Sequence, residues 1–254
     1  MNHNEPKPKI NLAKKTMTVI EYMSQSKRGL SLKAIARGVG LPNATAHRIM
    51  SALIDMGYIE QDEDGEFYLT YKLLSVAGRV VERDGFQDRL LPILNYFNRT
   101  TECGISLTAL TKDGVIALAR VEGPKRFRGP LVVPGAVVPL YCSAVGKLHL
   151  SELPDEELEE YLEKTVLLPY TENTIIDAGK LREDILKTRR QGYGVINGEF
   201  TENESVLSVP AEKKNGRTIN AINFCTHSSR FDEICNEAFI EKVKNVLKEY
   251  LNKE

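Results

Sequence analysis

The stretch "GLPNATAHRIMSALIDMGYIE", Gly40 to Glu60, decides how the first part of the chain is read. Ala46, Ile49, Met50, Leu53 and Ile54 recur at helical spacing, which predicts an amphipathic helix with that stripe buried. Pro42 sits where a first helical turn tolerates proline. Asn43 or Thr45 is placed to help cap, and Gly57 supplies a stop. Asn43, Thr45, His47 and Arg48 lie in the first turns, largely off the stripe. Asn can bond adenine, Arg can bond guanine or phosphate, and Thr can bond phosphate or touch a thymine methyl. Any one of them alone is as well explained by a cap or a solvated side chain. Four together on the exposed start of one helix point to a helix that enters a DNA groove.

Upstream, Met17, Ile20 and Met23 recur on one helical face, with Val19 beside them, before a break at Gly29. A second helix starts at Ser31, a good N-cap. It carries Leu32, Ile35, Ala36 and Val39 inward and closes at Gly40. Downstream, "YIEQDEDGEFYLT" holds two short β-prone runs around Asp64-Gly65, a hairpin-turn dipeptide. The order helix, helix, tight turn, helix, hairpin over Asn11–Tyr71 is a winged helix-turn-helix pattern, with the third helix free for a groove.

Charge supports that reading. Between Ile10 and Tyr58 seven basic residues (Lys14, Lys15, Lys27, Arg28, Lys33, Arg37, Arg48) face only Glu21 and Asp55, an excess of five positive charges, while the whole chain carries −1. Phosphate attraction requires such an asymmetry. Lys14, Lys15, Ser31 and Lys33 therefore join the four residues of the third helix as expected contacts to double-stranded DNA. The wing tip, "EQDEDGE", is acidic. It is expected to pack on the domain or face solvent rather than enter a minor groove.

The chain has 254 residues, room for two domains. Its 42% hydrophobic and 27% charged residues exclude a disordered or collagen-like chain. The first eleven residues are polar, contain Pro6 and Pro8, and are expected to form a disordered tail. Cys103, Cys142, Cys225 and Cys235 are far apart without CxxC pairing, which fits reduced thiols better than a disulfide framework or a zinc site. The start of the chain has no apolar signal region, and no apolar run approaches membrane-spanning length. A soluble cytoplasmic protein without a membrane partner is expected.

The segment Leu73–Arg99 has helical character broken at Gly85 and Pro92. A linker helix over 72–90 is expected to join a DNA-binding domain (12–71) to a second domain (91–254). There the period changes to alternation, with a hairpin turn at Lys112-Asp113-Gly114. Further strands are expected in "GPLVVPGAVVPLY", "GYGVIN", "SVLSVPAEK" and "TINAINFCT". Helices are expected from Ser143 through Leu150, in "PDEELEEYLEKT", from Asp177 to Arg190 before Gly192, and over Asp232–Tyr250. The fold class is α+β, a mostly antiparallel sheet with helices packed against it.

The segment from "LSLKAIARGVGLPNATAHRIM" to "YLTYKLLSVAG" resembles the DNA-binding domain of the IclR-type bacterial transcriptional regulators. The family's segment stands here as Leu41-Pro42-Asn43-Ala44-Thr45-Ala46-His47-Arg48, with Gly57-Tyr58 before the wing and Tyr68-Leu69-Thr70 after it. "PLYCSAVGKLHL" and "LKTRRQGYGVINGE" are similar to the family's sensor-domain landmarks. The resemblance runs from about Leu12 to Leu251. It implies a winged helix, a linker helix and a GAF-like α/β sensor domain. It also implies a homodimer or homotetramer on a palindromic operator, a repressor or activator controlled by a small organic acid or aromatic effector. The chain departs from the family at Val145, Ile196-Asn197, Asn203 and Val206.

Carried over residue by residue, the effector pocket would be lined by Leu131, Val133, Ser143, Ala144, Val145, Ile196, Val206, Asn223 and Cys225. Asn223 and Cys225 share one face of a strand. The mapped positions hold no lysine or arginine. A carboxylate would then be held by N–H groups at the helix start near Ser143 and by Asn223. Leu131, Val133 and Val206 would look the same in any sheet core. The rival reading is an enzyme or redox sensor using Cys225, with His227 nearby. No orienting carboxylate accompanies that pair, and Cys142, His149 and Cys225 lack metal-ligand spacing. With no P-loop or dinucleotide glycine pattern either, no catalytic residue, cofactor or metal is expected.

Overall fold

The computed structural model describes residues 12–83, 89–111, 114–123 and 135–251. The expected tail, the end of the linker segment, the turn residues Lys112 and Asp113, and the mapped residues Leu131 and Val133 lie outside them. The chain divides between Asp84 and Gly85 into two compact units.

In the first unit α1 (Leu12–Ser24), α2 (Leu32–Gly38) and α3 (Asn43–Asp55) close around Val19, Met23, Ile35, Ile49, Met50 and Leu53. The hairpin β1 (Ile59–Gln61) and β2 (Phe67–Leu69) adds Ile59 and Phe67 to the same core. Phe67 also exchanges backbone hydrogen bonds with Leu30, at 2.9 and 3.1 Å, which ties the wing to the helices. Its acidic tip faces solvent at Asp62, Glu63 and Asp64. Ser31 caps α2 by accepting from the Ala34 N–H at 3.3 Å. Gly57, at φ +75°, ends α3, where the Tyr58 N–H reaches back to the Leu53 carbonyl at 2.9 Å.

The structure differs from the expected pattern at three places. Met17 is 54% exposed, and the inward pair on α1 is Val19 and Met23, one turn apart. Ile54 is 37% exposed, because the helical phase that buries Ala46, Ile49, Met50 and Leu53 rotates it outward. Neither Asn43 nor Thr45 caps α3; Pro42 precedes it, and its carbonyl accepts from the Thr45 and Ala46 N–H groups at 2.9 and 3.0 Å. Behind the wing, α4 (Lys72–Arg83) leaves Leu74, Val76 and Val80 exposed.

Among the described residues the second unit holds six strands: β3 (Gly104–Thr111), β4 (Gly114–Val121), β5 (Val137–Val138), β6 (Gly194–Asn197), β7 (Glu204–Lys214) and β8 (Arg217–His227). They form one antiparallel sheet in the order β5-β4-β3-β8-β7-β6. Around it lie α5 (Leu91–Thr101), α6 (Ala144–Ser151), α7 (Asp155–Lys164), α8 (Ala178–Gln191), α9 (Phe231–Ile234) and α10 (Glu237–Leu251). Phe224 of β8 meets Phe97 of α5 and Phe239 of α10 edge to face, each with ring centroids 5.1 Å apart. Its neighbours Asn223 and Cys225 point to the other face. Asp177 caps α8 and Gly192, at φ +74°, ends it. The expected single terminal helix is broken at Cys235 and Asn236, because the Asn236 Oδ1 accepts from the Phe239 N–H at 2.9 Å and starts a new helix.

One buried ion cluster holds α6, α8 and the turn after β6. The Lys147 ammonium is fully buried and donates to both oxygens of Glu199, at 2.6 and 2.7 Å. Asp184 of α8 takes it at 2.7 Å. Burial pushes the Glu199 carboxyl above the ordinary range, and Lys147 pulls it back. Replacing Lys147 with alanine leaves two acids without their cation. That substitution should cost about 3–5 kcal/mol of stability, read as a lower denaturant midpoint by circular dichroism.

Candidate functional site

On the first unit, Asn43, His47, Arg48, Lys14 and Lys33 are exposed, while Thr45, Lys15 and Ser31 are half-buried. Among the described residues the side chains of Asn43, Thr45, His47, Arg48, Lys14, Lys15 and Lys33 make no hydrogen bond or ion pair within the protein. Lys15, Thr45 and Arg48 line one cleft of about 540 Å³ between α1 and α3, with Ile49 and Leu53 at its floor. Lys14, Ser31, Lys33, Asn43 and His47 are not part of that cleft. Ser31 is tied to the start of α2 as its cap. A cluster of cations without internal partners is what a phosphate backbone needs, since each contact displaces condensed counterions. Arg48→Ala and Thr45→Ala should each weaken operator binding by about 1–3 kcal/mol with the melting temperature nearly unchanged. Fluorescence anisotropy on labelled duplex checks the first and a thermal melt the second.

On the second unit, seven mapped positions converge. Ser143, Ala144 and Val145 at the start of α6, Ile196 of β6, Val206 of β7, and Asn223 and Cys225 of β8 line one cavity of about 60 Å³. Strand register explains the meeting, because Ile196 pairs with Val206, Val206 with Cys225, and Asn223 with Ser106. Close packing brings α6 onto the sheet. A Cβ on Gly194 would lie 1.9 Å from the Ala144 carbonyl oxygen, and one on Gly146 would lie 2.2 Å from the Leu140 carbonyl oxygen. Only glycine permits those approaches.

Ser106, Thr108, Arg120 and Glu204 also line the cavity, and the sequence reading missed them. The first two are identifiable only once β3 is paired with β8. The Arg120 side chain is 6% exposed and its Nε donates to Glu122 at 2.9 Å. The expected wall without lysine or arginine is therefore corrected. Asn223 is corrected too. The two N–H groups of its Nδ2 are shared among the Ser106 carbonyl at 3.3 Å, Ser106 Oγ at 3.3 Å and Thr108 Oγ1 at 3.1 Å. It has no N–H left for a carboxylate and presents Oδ1, a buried acceptor without a partner. Ser143 is spent as well, donating to the Pro139 carbonyl at 2.6 Å and accepting from the Gly146 N–H at 3.2 Å.

Burial pushes the Cys225 thiol up to about 12, so it is a neutral wall group rather than a thiolate. The ring of His227 is exposed and hydrogen-bonds Ser229. No cluster of metal-ligating side chains occurs among the described residues.

Burial also raises the Glu204 carboxyl above the ordinary range, opposed by Arg120 and a hydrogen bond from Thr201. The folded protein thus holds this proton to higher pH than the unfolded chain, so stability falls as pH rises from the ordinary carboxylate range through the raised value. Glu204→Gln should flatten that fall and raise the neutral-pH melting temperature, as a pH series of melts would show.

Two family models match this chain: the bacterial transcriptional regulator IclR C-terminal domain over residues 79–249 and the IclR helix-turn-helix domain over residues 12–63. The chain belongs to the IclR family. It is a DNA-binding transcriptional regulator, and the IclR family is one of regulators rather than enzymes. The HTH-type transcriptional regulator KipR of Bacillus subtilis is 26% identical over 236 residues, 91% of this chain and 94% of that protein. The transcriptional repressor IclR of Escherichia coli is 23% identical over 232 residues, 89% of this chain and 79% of that protein. An IclR homolog from Microbacterium hydrocarbonoxydans, crystallised in complex with 4-hydroxybenzoate, shares the fold with a TM-score of 0.77. It is 22% identical, and the match covers 94% of this chain and 96% of that one.

Proposed function

We propose that this IclR-family regulator is a cytoplasmic repressor that binds a palindromic operator as a homodimer or homotetramer. A small organic acid or aromatic effector in the cavity of the second unit sets its operator affinity. Residues 12–71 read DNA, 72–90 link, and 91–254 sense. The observation that carries this reading is the convergence of seven mapped residues on one cavity that also holds a buried arginine and an unsatisfied amide oxygen. The 4-hydroxybenzoate complex of the Microbacterium homolog and the repressor name of the Escherichia coli relative support it. The redox alternative at Cys225 is disfavoured by its raised thiol pKa.

One winged helix gives too little contact for genomic discrimination, so two copies should read two half-sites. The apolar residues of α4, Leu73, Leu74, Val76, Ala77 and Val80, are the proposed seam. Leu74 and Val80 are exposed, and burying them would remove apolar area from water. Light scattering should find no stable monomer at micromolar concentration, and Leu74→Glu with Val80→Glu should shift the equilibrium toward one. A wild-type protein that stays monomeric with and without DNA contradicts the oligomer.

The cavity itself is tested by Val206→Phe, which fills it from β7. Effector-dependent change in operator affinity, normally about 1–3 kcal/mol for coupling between two sites, should vanish. Operator binding by the ligand-free variant should persist. A variant that still responds places the effector elsewhere.

A further inference from the structure

The buried acceptor in the cavity narrows the effector's chemistry. Asn223 is 3% exposed, and its Oδ1 has no hydrogen-bond partner. The orientation of the amide follows from its surroundings: the Ser106 backbone carbonyl can only accept, so Nδ2 must face it. No hydroxyl of the protein hydrogen-bonds Oδ1, Ser106 Oγ lying instead against Nδ2. Thr108 Oγ1 donates to the Ala221 carbonyl at 3.3 Å, and Ser143 Oγ donates to the Pro139 carbonyl. Directly across on β7, the partner of Asn223 in the register is Ser208, whose Oγ is also buried and unpaired. Two orphaned polar atoms thus lie side by side, on strands whose backbone groups are already used in the ladder. Buried polar groups left in this state are rare; the Ser208 hydroxyl can donate or accept, whereas Asn223 Oδ1 can only accept and calls for a donor from outside the chain.

A second feature sets the ligand's other end. Arg120 lines the same cavity beside Glu204, whose carboxyl burial favours in the protonated form, and among the described residues it donates to Glu122 through Nε alone. Ala144 and Val145, which also line the space, are the first residues of α6, where backbone N–H groups have no partner within the helix. The cavity therefore joins an anion-binding side to a donor-seeking side. Its size is the third constraint. About 60 Å³ is well below the ~150 Å³ that takes benzene in an engineered apolar cavity.

We propose that the effector is a short-chain hydroxy acid, whose carboxylate meets Arg120 and the start of α6 while its hydroxyl donates to Asn223 Oδ1. This rests on the effector reading above and selects one class within it. A keto acid of the same skeleton carries no donor, and an ether blocks it. Each would leave Asn223 Oδ1 buried and unpaired with the ligand bound, which is how polar sites reject analogues that lack the matching group.

The test is calorimetric titration of the full-length protein with lactate, 2-methoxypropanoate, pyruvate and propanoate. Lactate should bind at least about tenfold more tightly than the other three. In Asn223→Leu, which keeps the shape but removes the acceptor, the four should fall within about threefold of each other. Equal or tighter binding of the ether, the keto acid or propanoate by the wild type overturns the proposal, as does binding of none of the four. So does a lactate preference that survives Asn223→Leu. If Asn223→Leu does not fold, the ligand series on the wild type decides alone. Val206→Phe separates the two levels of inference. Acids that bind without preference for the hydroxyl, yet are blocked by Val206→Phe, leave the effector cavity standing and remove only the hydroxy-acid class. Acids whose binding is unaffected by Val206→Phe remove both.

Discussion

The second unit depends on one buried cation. Lys147 sits on α6 just past the residues that wall the cavity, and it is held by Glu199 and Asp184 from two other segments. A lysine taken wholly out of water is tolerable only when its partners are close and well placed. That demand fixes where α6, α8 and the turn after β6 can lie. The glycines at 146 and 194 then allow α6 to press onto the Leu140 backbone and the sheet without a clash. Phe200, next to Glu199, completes the arrangement by lining the cavity while packing against Tyr170 at 5.0 Å. The cavity is thus a consequence of an ionic constraint and two close approaches, more than of the apolar residues on its walls.

The two units use charge in opposite ways. In the first, an excess of five positive charges between Ile10 and Tyr58 is left without internal ion pairs among the described residues. In the second, several surface cations are paired: Arg189 with Asp155, Lys213 with Glu152, Arg182 with Glu159. Exposed pairs like these add little to stability, but each sets an acid beside a cation, which the basic stretch of the first unit does not. A chain of almost zero net charge can therefore still present one basic face to DNA.

Local signals were read well from the sequence and pairings across the sheet were not. Ser31, Gly57, Asp177 and Gly192 act where their chemistry says they should, because caps and stops are decided within one helical turn. Met17 and Ile54 were misplaced because a short amphipathic helix allows a shift of phase that only the packed partner settles. Arg120, Ser106, Thr108 and Glu204 were missed for a different reason. Each enters the cavity through strand register, and register depends on pairs of residues far apart in the chain, such as Ser106 with Asn223. Asn223 is legible as a residue of that strand face, but the direction of its amide is not, since nothing local shows that Ser106 and Thr108 consume its N–H groups. Lys147 was passed over as an ordinary helix residue because both of its acids lie distant in sequence.

The measurement that bears most directly on the account is selection of bound duplexes from a random DNA pool by the full-length protein, followed by titration of the enriched duplex at several salt concentrations. The account predicts an enriched palindrome and an affinity that falls steeply as salt rises, because unpaired cations around α3 displace counterions from phosphates. Recovery of no common sequence, or binding indifferent to salt, would contradict it.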